Sequence, residues 1–217
     1  MSDQPSADEL KAKGEALVRE AALVAGDWIA ASAPNVIEVK NPADMTIVGC
    51  VPKLAAADVD RAIAAAAEAF PAWAAMKGKA RGAILSKWAQ LVRANEEGLA
   101  ALISLENGKP WKEALGEVRY ANSFIEWFAG MAERLDGKVI ESPNGQDLIL
   151  AFHEPVGPVA AITPWNFPAA MITRKVAAAF CAGCPVVLKP ASATPFTGIA
   201  LAALALEAGA PAGCFSV

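Results

Sequence analysis

Two short polar clusters in this chain combine residue types that could do chemistry with a context that would hold them in place. One is Trp165-Asn166-Phe167, set between Pro164 and Pro168; the other is Lys189-Pro190-Ala191-Ser192. Each directly follows a short apolar run, Val159–Thr163 and Val186–Leu188. An amide, an ammonium and a hydroxyl at such points can donate hydrogen bonds to a phosphate or a developing anion. Between them lies Arg174, in an otherwise apolar stretch, where a guanidinium needs an anionic partner or a route to solvent. That partner could be a ligand or a protein carboxylate.

Other reactive types point to less. Cys181-Ala-Gly-Cys184 has the C-x-x-C spacing, but redox pairs of that kind open a helix, where the dipole lowers the thiol pKa. Here the pair brackets a helix end, so it is read as structural. Cys50 and Cys214 complete the four cysteines, and in a chain this long they do not suggest a disulfide framework. His153 is the single histidine, which removes histidine-rich metal sites and most catalytic triads; no metal site is expected.

The elements that must position these clusters follow from the punctuation. Pro168 fits the first turn of a helix, where its missing N–H costs nothing. Ala169–Ala182 supplies helix formers, and Gly183 falls where helices end in the left-handed conformation. Strand, helix, strand with continuously apolar strands predicts a parallel βαβ unit covered on both faces. Such sheets bind ligands at the carboxyl ends of their strands, where both polar clusters fall. Pro195–Ala208 predicts a second helix, with Leu201, Leu204 and Ala205 inward. Phe215-Ser216-Val217 then reads as a third parallel strand, and a chain ending on entry to a strand suggests truncation.

Upstream, Glu9–Val24 reads as an amphipathic helix, followed by a Gly26–Asp27 turn. Val36–Val39 and Thr46–Val51 read as short strands around Asn41-Pro42-Ala43-Asp44. Asp58 is expected to cap a helix with Val59, Ile63, Ala66 and Phe70 on its inner face, broken at Pro71 and Gly78. Helical spacing resumes from Ala80 and runs past Gly98, with a stop and restart at Asn107-Gly108-Lys109-Pro110. Trp111–Leu135 is the longest helical pattern, with Leu115, Val118, Ile125, Phe128 and Leu135 as its core face. From Gly137 to Pro155 the period becomes two around Pro143-Asn144-Gly145, a hairpin signal. A lone two-stranded ribbon is marginal and needs a partner sheet.

Composition bounds the partners. The 217 residues are 55% hydrophobic and 19% charged with net charge −4, so a sizeable core is expected. Nucleic-acid binding is disfavoured, since no basic stripe occurs. The N-terminus has no apolar secretory region. The two long charge-free windows, 156–173 and 190–206, carry prolines and polar residues unsuited to a membrane span. A cytoplasmic location follows as the expectation.

PWNFP at 164–168 followed by KPAS at 189–192 closely resembles the aldehyde dehydrogenase superfamily. ITPWNFPAAMITRK (162–175) and KPASATPF (189–196) resemble its NAD(P)-dependent succinate-semialdehyde dehydrogenases in particular. The likeness runs from about Gly26 to Val217 and includes the Asn41-Pro42-Ala43 turn, the Glu106–Pro110 stop and the hairpin. It implies an α/β fold: a parallel-sheet, Rossmann-like dinucleotide-binding domain with N-terminal helices and a protruding β-hairpin. Residues 1–137 would be the helical part, 138–154 an oligomerisation hairpin and 155–217 the first βαβ units, with the catalytic domain absent.

Roles follow from the same resemblance. Asn166 would donate its amide to the oxyanion of a thiohemiacetal; a fixed, non-titrating donor there is worth on the order of 3 kcal/mol. A satisfied turn asparagine is the plainer alternative. Thr163, Pro164, Trp165 and Asn166 would line the cofactor pocket, and Lys189, Pro190, Ala191 and Ser192 would hold the adenosine ribose. Many NAD-specific relatives carry glutamate where Ser192 stands. Serine removes that carboxylate's repulsion of a 2′-phosphate, so NADP, or use of both NADP and NAD, is expected. Arg174 would bind the far carboxylate of a semialdehyde substrate. The nucleophilic cysteine and general-base glutamate of the family lie C-terminal to this segment. The chain alone is therefore expected to be inactive, and the full-length protein to be a homo-oligomer. A non-catalytic nucleotide-binding or assembly module of the same fold is the alternative.

Overall fold

The structure is a computed structural model and describes residues 6–217. Its centre is a three-stranded parallel sheet of β7 (Val159–Ile162), β8 (Val186–Lys189) and β9 (Phe215–Ser216), in that order. Helices α6 (Ala170–Ala182) and α7 (Phe196–Glu207) make the two crossovers. Both crossovers step in the same direction, which puts both helices on one face. The predicted βαβ core is therefore present, with Gly183 left-handed at the end of α6 (φ 86°). A Cβ there would also crowd the Ala74 Cα at 3.3 Å.

The sheet is covered less evenly than its apolar strands predict. Ala161, Val186, Leu188 and Phe215 are buried, whereas Ala160 and Ile162 on the edge strand are exposed. These two alternate with the buried ones, so one side of β7 is open. At the opposite edge the sheet is closed by the N-terminal hairpin of β1 (Ala21–Val24) and β2 (Asp27–Ala30). Leu23 and Val217 exchange two main-chain hydrogen bonds, each 2.8 Å. This overturns the long first helix. The helix α1 is only Ala7–Glu15, with Ser6 and Glu9 bonded reciprocally at its start. Residues 21–24 are apolar because strand β1 is buried on both faces, not because a helix continues.

Strands β3 (Val36–Lys40) and β4 (Ile47–Pro52) pair antiparallel as expected. Helix α2 (Ala56–Ala75) departs from its predicted face: Ala62, Ala66 and Trp73 are buried, while Val59 and Ile63 are exposed. Asp58 lies inside the first turn and accepts from the Ala55 N–H at 3.0 Å instead of capping as the first residue. Pro71 sits within α2 without ending it. Helix α3 (Gly78–Ala94) ends at Asn95, which separates it from α4 (Glu96–Asn107). Helix α5 (Trp111–Met131) stops short of Leu135, which is exposed.

The core is centred on four aromatic rings. Phe180 of α6 lies 5.4 Å from Trp73, 6.2 Å from Trp88 and 5.7 Å from Phe215, centroid to centroid. Trp88 also donates its indole N–H to the Leu201 carbonyl at 3.1 Å, linking α3 to α7. The hairpin of β5 (Lys138–Glu141) and β6 (Leu148–Ala151) forms as predicted and is exposed along both strands. His153 beside it bonds the Asp136 carbonyl. Among the described residues no helix is long and apolar enough to cross a membrane, and no group of three His, Cys, Asp or Glu residues is placed to hold a metal ion.

Candidate active site

The two polar clusters meet. Strands β7 and β8 pair in register from Val159↔Val186 to Ile162↔Lys189. The pairing continues one step further: the Thr163 N–H donates to the Lys189 carbonyl at 3.2 Å. Thr163 is buried, and beyond it Pro164, Trp165 and Asn166 are exposed beside the exposed Lys189 and Ser192. Pro190 and Ala191 are half-buried between those two. All eight residues thus sit at the carboxyl ends of adjacent parallel strands, where α/β sheets take their ligands.

The loops are held from below by residues that the sequence marked only as a helix stop. At the α4–α5 junction, Asn107 Nδ2 donates to the Trp165 carbonyl and Lys109 Nζ to the Asn166 carbonyl, each at 2.9 Å. Lys109 also pairs with Glu117, whose side chain is 1% exposed. The other oxygen of Glu117 accepts the N–H of Ala169 at 2.9 Å and of Ala170 at 3.4 Å. Glu106 does the same for α7, accepting from Phe196 N and Thr197 N at 2.8 Å each and from the Thr197 hydroxyl. Neither α6 nor α7 has a side-chain cap of its own. The first N–H groups of a helix lack internal partners and carry partial positive charge, so each helix behind a site loop is capped by a buried carboxylate from elsewhere in the chain. The signal for these residues was two glutamates on the apolar side of helical patterns. Gly108 makes the junction possible: it is left-handed (φ 76°), and a Cβ there would meet Pro42 at 2.7 Å.

Burial pushes the Glu106 carboxyl up to about 7 from its ordinary 4.5, against the three bonds that favour ionisation. A raised carboxyl pKa means stability that is complete below the unfolded value and lost as pH rises through the folded one. The stability difference between wild type and Glu106→Gln should therefore fall by about 3 kcal/mol from pH 4.5 to 8. Urea unfolding of both at pH 4.5 and pH 8 checks this; a difference that does not change with pH would contradict it.

Arg174 stands on α6 toward α5. Its Nη2 donates to the Tyr120 hydroxyl at 2.9 Å, and its guanidinium carbon lies 4.8 Å from the Phe124 ring centroid. Nε is buried without a partner. No carboxylate pairs with Arg174 among the described residues, so the ion-paired alternative is not what the fold contains. Cys181 and Cys184 are buried and unbonded at the carboxyl end of α6. Burial pushes the Cys181 thiol up, and that of Cys214 to about 11. Neither has the electropositive, accessible setting that a nucleophilic thiolate needs.

A family model described as aldehyde dehydrogenase family matches residues 28–217. The chain belongs to the aldehyde dehydrogenase family. It is 48% identical over 208 residues to the NADP(+) succinate-semialdehyde dehydrogenase of Escherichia coli K12, covering 96% of this chain and 43% of that protein. It is equally identical, over the same shares, to a glutarate-semialdehyde dehydrogenase of Pseudomonas putida. A crystal structure of an NADP-dependent enzyme from E. coli superposes with a TM-score of 0.90 at 49% identity, covering 93% of this chain and 42% of that one. The chain thus spans about two fifths of the length of these relatives.

Proposed function

We propose that the whole protein oxidises a semialdehyde, succinate or glutarate semialdehyde in the first place, to its carboxylic acid with NADP or NAD. In this reading, residues 1–217 supply the dinucleotide crevice and the oxyanion donor. The observation that carries it is Arg174: a guanidinium held by a phenol and an aromatic face, and left without a carboxylate among the described residues. Arg174 is half-buried, so its guanidinium keeps a route to solvent and is free to receive an anion; the far carboxylate of a semialdehyde is such an anion. The two semialdehyde dehydrogenases at 48% identity support the same substrate class.

The residues at the strand ends fit a dinucleotide. Lys189 Nζ bonds only the neighbouring Pro190 carbonyl, at 3.1 Å, and no carboxylate among the described residues, so its charge is available to a phosphate. Ser192 is exposed and brings no negative charge, which is compatible with a 2′-phosphate. When bound, NAD(P)+ accepts the hydride. The chain's own contribution to the chemistry is the Asn166 amide, which would meet the negative charge that develops on the carbonyl oxygen when a thiolate adds. In this reading that thiolate and the glutamate that activates water come from beyond residue 217, as the resemblance implies; the burial of Cys181, Cys184 and Cys214 agrees with a nucleophile supplied from elsewhere. The hairpin of β5 and β6, exposed on both strands, is the proposed contact between copies.

Replacing Arg174 with Leu tests the substrate class. It should raise KM for succinate semialdehyde by about ten- to hundredfold, the scale of a charge-assisted bond, and leave KM for an uncharged aldehyde nearly unchanged. Equal losses on both substrates would remove the carboxylate role.

A further inference from the structure

We infer that Lys109, anchored by Glu117, is a positioning residue for the Asn166 amide. The inference rests on the reading of Asn166 as oxyanion donor. Lys109 is nearly enclosed, its side chain 11% exposed. Three groups surround its ammonium: the Glu117 carboxylate, the Asn166 carbonyl at 2.9 Å, and the Phe167 ring, 4.1 Å to the centroid. Two of the three belong to the site loop. Glu117 in turn holds the N–H groups of Ala169 and Ala170. One buried ion pair therefore fixes the loop at its middle and at its far end.

The physical consequence is specific to residue 166. Its side chain is launched from a Cα whose carbonyl is fixed by a charged donor, and bonds of that type are about twice as strong as neutral ones. A loop of exposed residues otherwise has little to hold one backbone conformation. An oxyanion donor helps only if it is already aimed where charge develops, and a small rotation of the 166–167 peptide would swing the amide away. Asn107 cannot replace this restraint, because it holds the preceding carbonyl, that of Trp165. Lys109 does not itself touch the reacting atoms in this account. Its effect passes through the amide.

The test is a double-mutant cycle in the whole protein, with Lys109→Met, Lys109→Arg, Asn166→Ala and the Lys109→Met/Asn166→Ala pair. Kinetics are combined with hydrogen exchange over residues 163–170. Lys109→Met should lower kcat by about ten- to hundredfold with KM for the cofactor little changed, and should speed exchange in 163–170 while α3 and α5 stay protected. Lys109→Arg should restore part of the kcat. In the Asn166→Ala background, Lys109→Met should cost less than about twofold, because groups acting as a unit are not additive. A full Lys109→Met loss in that background, or unchanged exchange over 163–170, would overturn the positioning role. If Asn166→Ala instead keeps its kcat while exchange still responds to Lys109→Met, the donor assignment fails and Lys109 remains the restraint on the loop.

Discussion

Asn166→Ala is expected to lower kcat for aldehyde oxidation by about 10²- to 10³-fold in the whole protein, the scale for removing one preorganised oxyanion donor. Little change is expected in the dissociation constant for NADPH. The split follows from the local structure. Substitution to Ala leaves the main-chain carbonyl that Lys109 grips at 2.9 Å and the Trp165 carbonyl that Asn107 grips at the same distance. The loop keeps its path, and only the amide is lost. The Asn166→Asp substitution should be worse still, because it places a carboxylate where negative charge develops. Steady-state kinetics with a cofactor titration checks both. A kcat within about twofold of wild type for Asn166→Ala would return Asn166 to the role of an ordinary turn residue.

Phe180→Ala is expected to destabilise the chain by about 3–5 kcal/mol. Phe180 is 1% exposed and lies edge-on or tilted to Trp73, Trp88 and Phe215, which come from α2, α3 and β9. A phenyl-sized void there closes only in part, since Trp88 is anchored by its bond to Leu201 and Trp73 and Phe215 are themselves fully buried. The midpoint of urea unfolding reads the loss. A loss below about 1 kcal/mol would mean that the helices do not depend on this cluster for their attachment to the sheet.

The parts of the fold legible in the sequence were those set by local punctuation. Gly183 and Gly108 end helices in the left-handed conformation where their positions predict. The Asn144-Gly145 turn and the change to period two gave the hairpin. The parallel βαβ unit followed from short apolar runs on either side of a helical pattern. Errors arose where tertiary contacts override pattern. Ala21–Val24 looks helical because it continues an apolar stretch, but it is a strand that pairs with β2 and, through Leu23, with Val217 nearly two hundred residues away. Val59 and Ile63 look like core because they are large, yet α2 buries its alanines, which allow closer approach.

The candidate site divides the same way. The PWNFP and KPAS clusters could be found because strand ends are where topology puts ligands, and the structure places them side by side. Glu106, Asn107, Lys109 and Glu117 could not, because each acts on a main-chain group 57 to 91 residues away, or, for Glu117, 52 and 53 away. Sequence spacing holds no record of such bonds. A buried carboxylate is nonetheless a usable sign: it needs donors, and the unpaired N–H groups at a helix start supply them.

The central claim is that the loops after β7 and β8 form one dinucleotide crevice. Titrating wild type, Lys189→Ala and Ser192→Glu with NADPH and NADH by cofactor fluorescence tests it most directly. Saturable NADPH binding, weakened about tenfold or more by Lys189→Ala and selectively against NADH by Ser192→Glu, is the predicted result. NADPH binding that neither substitution changes, or that Ser192→Glu alters equally for both cofactors, would contradict it.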